Sequence, residues 1–258
     1  MKEKESKDFD FIRGEILVLN KPLDWTSFDL VQKVRNMLCR LLKIKKLKIG
    51  HAGTLDPKAT GVMVLCSGKL TKQIDEIQAD EKEYVALLKV GATTPSFDLE
   101  TEEDEQFETA HITRETVEQI LPSFIGSIEQ VPPAYSAIKV DGKRAYQFAR
   151  KGKEVELKPK MLVIKEIEIL KFALPEIELR IVCSKGTYIR ALARDIGRAL
   201  NSGAYLTGLK RTRIGEYTID RSLDLSELAD MLSAHFQTIN NTHNLNHINV
   251  INNEAFEI

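Results

Sequence analysis

Cysteine, net charge and long apolar runs are all scarce in this chain of 258 residues, and each scarcity removes a class of protein. The three cysteines, Cys39, Cys66 and Cys183, are odd in number and far apart. That pattern argues against a disulfide framework or a zinc site and predicts reduced thiols in a cytoplasmic protein. No apolar stretch approaches the ~20 residues of a membrane-spanning helix, so a membrane is not an expected partner. The N-terminal MKEKESKDFDFIRG has no apolar signal core, which argues against secretion. No glycine-rich phosphate loop of the Walker or dinucleotide type occurs, and no cluster of metal ligands is visible, so neither a cofactor nor a metal is expected.

The net charge of −1 conceals strong segregation. Seven basic residues and no acid lie between Val31 and Leu55, eight basic residues face three acids from Lys139 to Lys160, and seven face Asp195 alone from Lys185 to Arg213. Seven carboxylates crowd Asp98 to Glu108, which reads as an exposed loop. One cluster is often only a solvated face. Three of them predict a surface that tracks phosphates.

With 43% hydrophobic and 29% charged residues, the chain has the composition of a soluble globular protein. Glu15–Leu19 reads as a buried strand, followed by a helix capped by Thr26 or Ser27 with Phe28, Val31, Val34, Leu38 and Leu42 at helical spacing. Val62–Leu65 and Glu83–Gly91 read as strands, Lys69–Ala79 and Arg114–Phe124 as helices. Met161–Phe172 and Glu176–Cys183 alternate like half-buried strands. Ile189, Leu192, Ile196 and Leu200 recur at helical spacing, Tyr205–Tyr217 is a strand, and Ser226 is placed to cap a last helix. Residues 131–153, with paired prolines, a turn at Asp141-Gly142 and many basic residues, predict a projection. Residues 1–13 read as a flexible segment, 14–235 as one domain, and 236–258 as a weakly ordered tail with seven asparagines in its last twenty residues.

Everything converges on Lys48–Gly61, KIGHAGTLDPKATG. Pro57 forces Asp56 toward an extended conformation, and the flanking glycines permit tight turns, so the loop should hold one carboxylate rigidly at its tip. On spacing alone the favoured reading of Asp56 is a turn acid satisfying local amides, as in most Asp-Pro loops. Arg190 falls in the first turn of a helix, where the macrodipole does not favour a cation, so a carboxylate partner is expected. A purely structural ion pair satisfies that expectation too.

The string from His51 to Gly61 resembles the catalytic motif of the TruB family, which converts a uridine in the T-loop of transfer RNA (uridine 55 in tRNA numbering) to pseudouridine. Lys21-Pro22 with Trp25-Thr26-Ser27 resembles the family's first motif, and Lys185-Gly186-Thr187-Tyr188-Ile189-Arg190 its third. Thr94-Pro95-Ser96 departs from the family's Thr-Asp-Thr, although Asp98 is kept. The resemblance covers about residues 14 to 225. It implies a mixed α/β (α+β) pseudouridine synthase fold, a largely antiparallel central sheet flanked by helices with a thumb inserted at 131–153. It further implies that Asp56 is catalytic, that Arg190 is its partner, and that Tyr84 stacks on the target base. Tyr188 and Leu209 would complete the pocket wall, and His51 would fill or brace the space the flipped base leaves. Lys21, Lys72 and Arg211 would contact the RNA. Burial would raise the pKa of Asp56, and the Arg190 guanidinium is expected to reverse that shift. The implied partner is the T-arm of transfer RNA, bound by a monomer that needs no other protein. With about 26 residues after Leu232, the small C-terminal RNA-binding domain common in relatives is expected to be absent. A non-catalytic RNA-binding or RNA-folding protein, or a synthase for another RNA, is the alternative.

Overall fold

Burial alternates strictly along Lys82–Val90, where every second residue from Lys82 and Tyr84 through Ala86, Leu88 and Val90 is buried, and this strand lies at the middle of the sheet. The computed structural model describes residues 9–140 and 142–237. In chain order the elements are β1 (Ile16–Lys21), α1 (Ser27–Leu41), β2 (Ile49–His51), β3 (Ala59–Ser67), α2 (Ile74–Ala79), β4 (Lys82–Val90), β5 (Ala92–Thr93), β6 (Glu105–Gln106) and α3 (Arg114–Ile120). They continue with β7 (Gly126–Gln130), β8 (Lys139–Val140), β9 (Lys143–Arg144), α4 (Ala145–Ala149), β10 (Lys160–Ala173), β11 (Glu176–Cys183), α5 (Ile189–Ala199), β12 (Ala204–Ile214) and β13 (Tyr217–Thr218). Residues 225–237 are helical.

Among the described residues one nine-stranded sheet runs β1-β3-β12-β4-β11-β10-β7, with β2 beside β3 and β13 beside β12. Its pairings are antiparallel except β3 with β12. This is the mixed α/β, largely antiparallel architecture expected from the sequence. β3 is apolar at consecutive positions because both of its faces are covered. Met63 and Leu65 join the main core with α1 and α5, whereas Val62, Val64 and Cys66 join a smaller core with Ile77 of α2. Leu30, Val34 and Leu38 of α1 are wholly buried, each contributing roughly 1.5–3 kcal/mol of apolar burial.

The parallel contact of β3 with β12 sets the site. Gly61 pairs with Arg211 at a φ of 106°, and a Cβ there would overlap the Arg211 carbonyl oxygen. Glycine is needed for both reasons.

Several expectations need correcting. The helix over 69–79 is a 3-10 turn (Gly68–Gln73) followed by the short α2. The last helix is capped by Asp224, not Ser226: the side chain of Glu227 accepts from the Asp224 amide at 2.8 Å, the reach-back of a capping box. Phe11 is fully buried and Phe9 stacks on it at 5.4 Å, so the packed fold begins ahead of residue 14. The acidic stretch is no simple exposed loop. Asp98 is buried, Glu103 binds Lys89 and Tyr205, and β6 pairs with β5. Asp141 of the expected turn, and the tail from 238 onward, lie outside the described residues.

Candidate active site

The Asp56 loop is held from three sides by polar groups that bond its backbone. Thr26 caps α1 in a capping box with Asp29, which leaves the neighbouring Ser27 hydroxyl free for other work. That hydroxyl accepts from the Leu55 amide at 2.8 Å and donates to the Leu55 carbonyl at 3.0 Å. Arg211 donates to the carbonyls of Val62 (2.8 Å), Gly53 (3.0 Å) and Thr54 (3.4 Å). Lys21 donates to the carbonyls of Trp25 (2.6 Å), Pro22 (2.8 Å) and Pro57 (3.4 Å). The chain therefore cannot shift at 53, 54, 55 or 57 without breaking a hydrogen bond, buried at 53 and 55 and part-buried at 54 and 57.

Lys21 and Arg211, both expected to contact the RNA, are thus bonded to backbone carbonyls. Both are 1% exposed or less, and their charged ends point into the protein. Burial, opposed by Asp56 and Asp24, pulls the Lys21 ammonium down to about 8. Arg213 is likewise turned aside, to Glu81 at 2.8 Å, and Arg194 is tied to Asp195 at 2.8 Å. Four of the seven basic residues of 185–213 are thus paired within the protein, whereas Lys185, Arg198 and Lys210 are exposed and Lys185 lines the cavity described next. Lys72 is exposed on the 3-10 turn and does not line the cavity.

Asp56 points into an open cavity of about 620 Å³. His51, Tyr84, Tyr188, Leu209, Arg190 and Arg211 line the same cavity. The structure thus brings together seven of the nine residues singled out from sequence. Tyr84 enters from β4, where it lies opposite Arg211 on one side and Ile181 on the other. Burial pushes its phenol up, with the Arg211 guanidinium opposing, so it carries its proton at neutral pH. Tyr188 sits at the N-cap of α5, its phenol raised by burial and by Asp56. Burial, then Arg211, holds His51 below its ordinary value, which makes it a neutral ring. Its buried Nδ1 has no hydrogen-bond partner among the described residues.

The carboxylate partner expected for Arg190 is found twice. Its Nε lies 2.9 Å from Asp56 Oδ2 and 3.5 Å from Asp98 Oδ2. Its Nη1 donates to the Ser96 carbonyl at 3.1 Å and its Nη2 to that of Tyr135 at 2.9 Å. The departure at Thr94-Pro95-Ser96 therefore leaves a contact intact, because Ser96 contributes a backbone oxygen, not a side chain.

Arg190 does not reverse the shift on Asp56. Burial is the larger effect and holds the carboxyl above its ordinary value, with Asp98 and Glu100 adding to the rise and Arg190 opposing it. The Asp56 side chain keeps 37% of its surface open and lines the cavity. The arrangement can present an ionised oxygen to a ligand while a fixed guanidinium orients it.

The projection over 131–153 is fastened to α5 at its base. Gln130 exchanges two bonds with the Tyr188 backbone (2.9 and 3.2 Å), and Arg194 donates to the Val131 carbonyl. Farther out, Arg150 pairs with Glu100 at 2.6 Å across the cavity mouth. Ser27 was expected only as a possible cap of α1 and as part of a motif, not as a support of Leu55, and Gln130 was not singled out from sequence. A serine beside a threonine cap is a usable signal, but a strand glutamine gives none.

Residues 39–189 match the family model described as TruB family pseudouridylate synthase (N terminal domain). Residues 190–248 match that of the tRNA pseudouridylate synthase B C-terminal domain. The junction falls at the start of α5, so the second match includes Arg190 and β12, both integral to the sheet and site described above. The tRNA pseudouridine synthase B of Parabacteroides distasonis is 65% identical over 86% of this chain and 95% of its own length. That of Flavobacterium johnsoniae is 48% identical over 86% of this chain and 98% of its own length. Among solved structures, a Cbf5-Nop10-Gar1 complex includes a chain 28% identical at a TM-score of 0.64, covering 85% of this chain. An H/ACA RNP bound to a substrate RNA containing 2'-deoxyuridine includes one 26% identical at 0.61. This protein spans 54% of each of those two chains. With a family model matched over residues 39–189 and relatives 65% and 48% identical over 86% of its length, the chain belongs to the TruB family of pseudouridylate synthases.

Proposed function

We propose that this chain isomerises uridine 55 (tRNA numbering) in the T-loop of transfer RNA to pseudouridine, with Asp56 as the catalytic carboxylate, acting as a cytoplasmic monomer. The reaction breaks the C1′–N1 bond, turns the uracil and joins C5 to C1′; C5 loses a proton and N1 gains one. Electrons balance without an oxidant or reductant. The observation that carries the reading is the 2.9 Å pair of Asp56 with Arg190 at the floor of a cavity walled by Tyr84, Tyr188 and Leu209.

Each residue then has a task set by its surroundings. Asp56 must be ionised to act on the sugar carbon, on the base or on the ribose 2′ proton, and Arg190 favours that form against burial. Tyr84 gives the detached uracil a flat apolar face to lie on while it turns, and its protonated hydroxyl can donate to a base oxygen. Tyr188 and Leu209 exclude water from the broken bond. A uridine in a folded loop must be extruded to reach this depth, at roughly a few kcal/mol. The neutral ring of His51, at the cavity wall, can fill the gap it leaves.

The test is tritium release from C5-labelled uridine in unmodified transfer RNA, comparing the wild type with Asp56→Asn. Release by the wild type and none by the variant, with RNA affinity kept, supports the reading. Release that survives in a clean preparation of the variant removes Asp56 from its role. No release by either protein, with tight binding, leaves an RNA-binding protein.

A further inference from the structure

Phe28 is 66% exposed, and among the described residues it is the one exposed large hydrophobic side chain that lines the active-site cavity. Its neighbours explain why it stands there. Thr26 and Asp29 cap α1, and Ser27 turns inward to Leu55, so the second residue of the helix is carried at the cavity rim. Tyr135 and Tyr146 of the projection line the same cavity, with Arg150 lying 5.3 Å over the Tyr146 ring. Aromatic rings interleaved with cations around an open cleft are the pattern of single-stranded nucleic-acid binding. The cavity of about 620 Å³ is also larger than one uracil needs.

We propose that Phe28 is a stacking platform for a second unpaired base of the RNA loop, the immediate neighbour of the uridine being isomerised. The inference rests on the function proposed above. Extruding the uridine strips its neighbours of a stacking partner, and a nucleobase face unstacked at the rim is apolar, flat and indifferent to base identity. A phenylalanine ring satisfies those needs and offers no hydrogen bond to select among bases. Phe28 therefore holds the loop open and in place, and does not touch the bond being broken.

The experiment uses the full chain and T-arm hairpins, one intact and two abasic at the residue on either side of the target uridine. On the intact hairpin Phe28→Ala should raise Kd and KM about tenfold, the equivalent of ~1.4 kcal/mol, with the loss falling on binding and not on kcat at saturation. Phe28→Trp should restore affinity. On one of the two abasic hairpins the wild type and Phe28→Ala should bind alike, because the partner base is gone. Equal affinity of wild type and Phe28→Ala on the intact hairpin would overturn the proposal. So would a defect that persists on both abasic hairpins, which would show that Phe28 does not act through either neighbouring base. Failure of the wild type to convert the intact hairpin would instead remove the proposed function and this inference with it.

Discussion

Asp56 Oδ2 lies 2.9 Å from Arg190 Nε, and the same guanidinium nitrogen lies 3.5 Å from Asp98 Oδ2. One buried cation thus stands between two carboxylates, while its other nitrogens are bonded to the Ser96 and Tyr135 carbonyls. The electrostatics of the site follow from this triangle. Arg190 lowers the pKa of Asp56, Asp98 raises it, and burial exceeds both.

A pH dependence follows from that balance. Asp56 has its folded pKa raised, so the ionised, active form is present above that pKa and is lost as pH falls through it. The acid limb of kcat/KM should therefore lie above the ordinary carboxylate value of 3.8. Asp98→Asn removes a like charge and should move the limb to lower pH. A limb that moves upward in Asp98→Asn would show that Asp98 acts mainly by placing Arg190.

Arg190→Lys keeps the charge but loses the planar fork that reaches Asp56, Ser96 and Tyr135 together. Lysine carries its donors on a single nitrogen and cannot span the three partners. Single-turnover rates should fall about a hundredfold, the usual consequence of a small misplacement of a catalytic group. Near-normal rates would reduce the pair to a structural ion pair.

Ser27→Ala removes the two bonds that fix Leu55, one residue before Asp56, and leaves a buried amide and carbonyl unpaired. Stability should drop by about 1–3 kcal/mol, measured by denaturant unfolding. The turnover rate should fall with KM for RNA little changed, since the hydroxyl is buried. A rise in KM alone would place Ser27 in contact with substrate.

The Asp56 loop, the need of Arg190 for a carboxylate and the longer strands were legible because each rests on local chemistry: an Asp-Pro tip between glycines, a cation misplaced at a helix start, and period-two alternation. The destinations of Lys21 and Arg211 were not. Sequence shows a basic residue but not which face of a strand it occupies, and the β12 register shifts between Arg211 and Arg213 break the simple alternation. Nor could spacing show that Asp98, in a run of acids, would be drawn inward by a cation 92 positions later, since long-range pairing has no local signature.

Arg211 allows the sharpest separation of an internal brace from an RNA contact. Its guanidinium is bonded to the carbonyls of Gly53, Thr54 and Val62, and the residue is 1% exposed. Arg211→Met fills much of the same volume but takes this donor from two buried carbonyls, of Gly53 and Val62, and from the part-buried one of Thr54. Stability should fall by roughly 2–4 kcal/mol, and turnover should fall with it as the loop carrying Asp56 relaxes. RNA binding should keep its salt dependence, because no phosphate contact has been removed. A residue that neutralised one phosphate would, when lost, lower the slope of log affinity against log salt by about 0.7 to 0.9. The two measurements, unfolding and salt slope, therefore read different roles. An unchanged unfolding midpoint together with a lowered slope would return Arg211 to the RNA interface and require its side chain to swing out of the loop on binding.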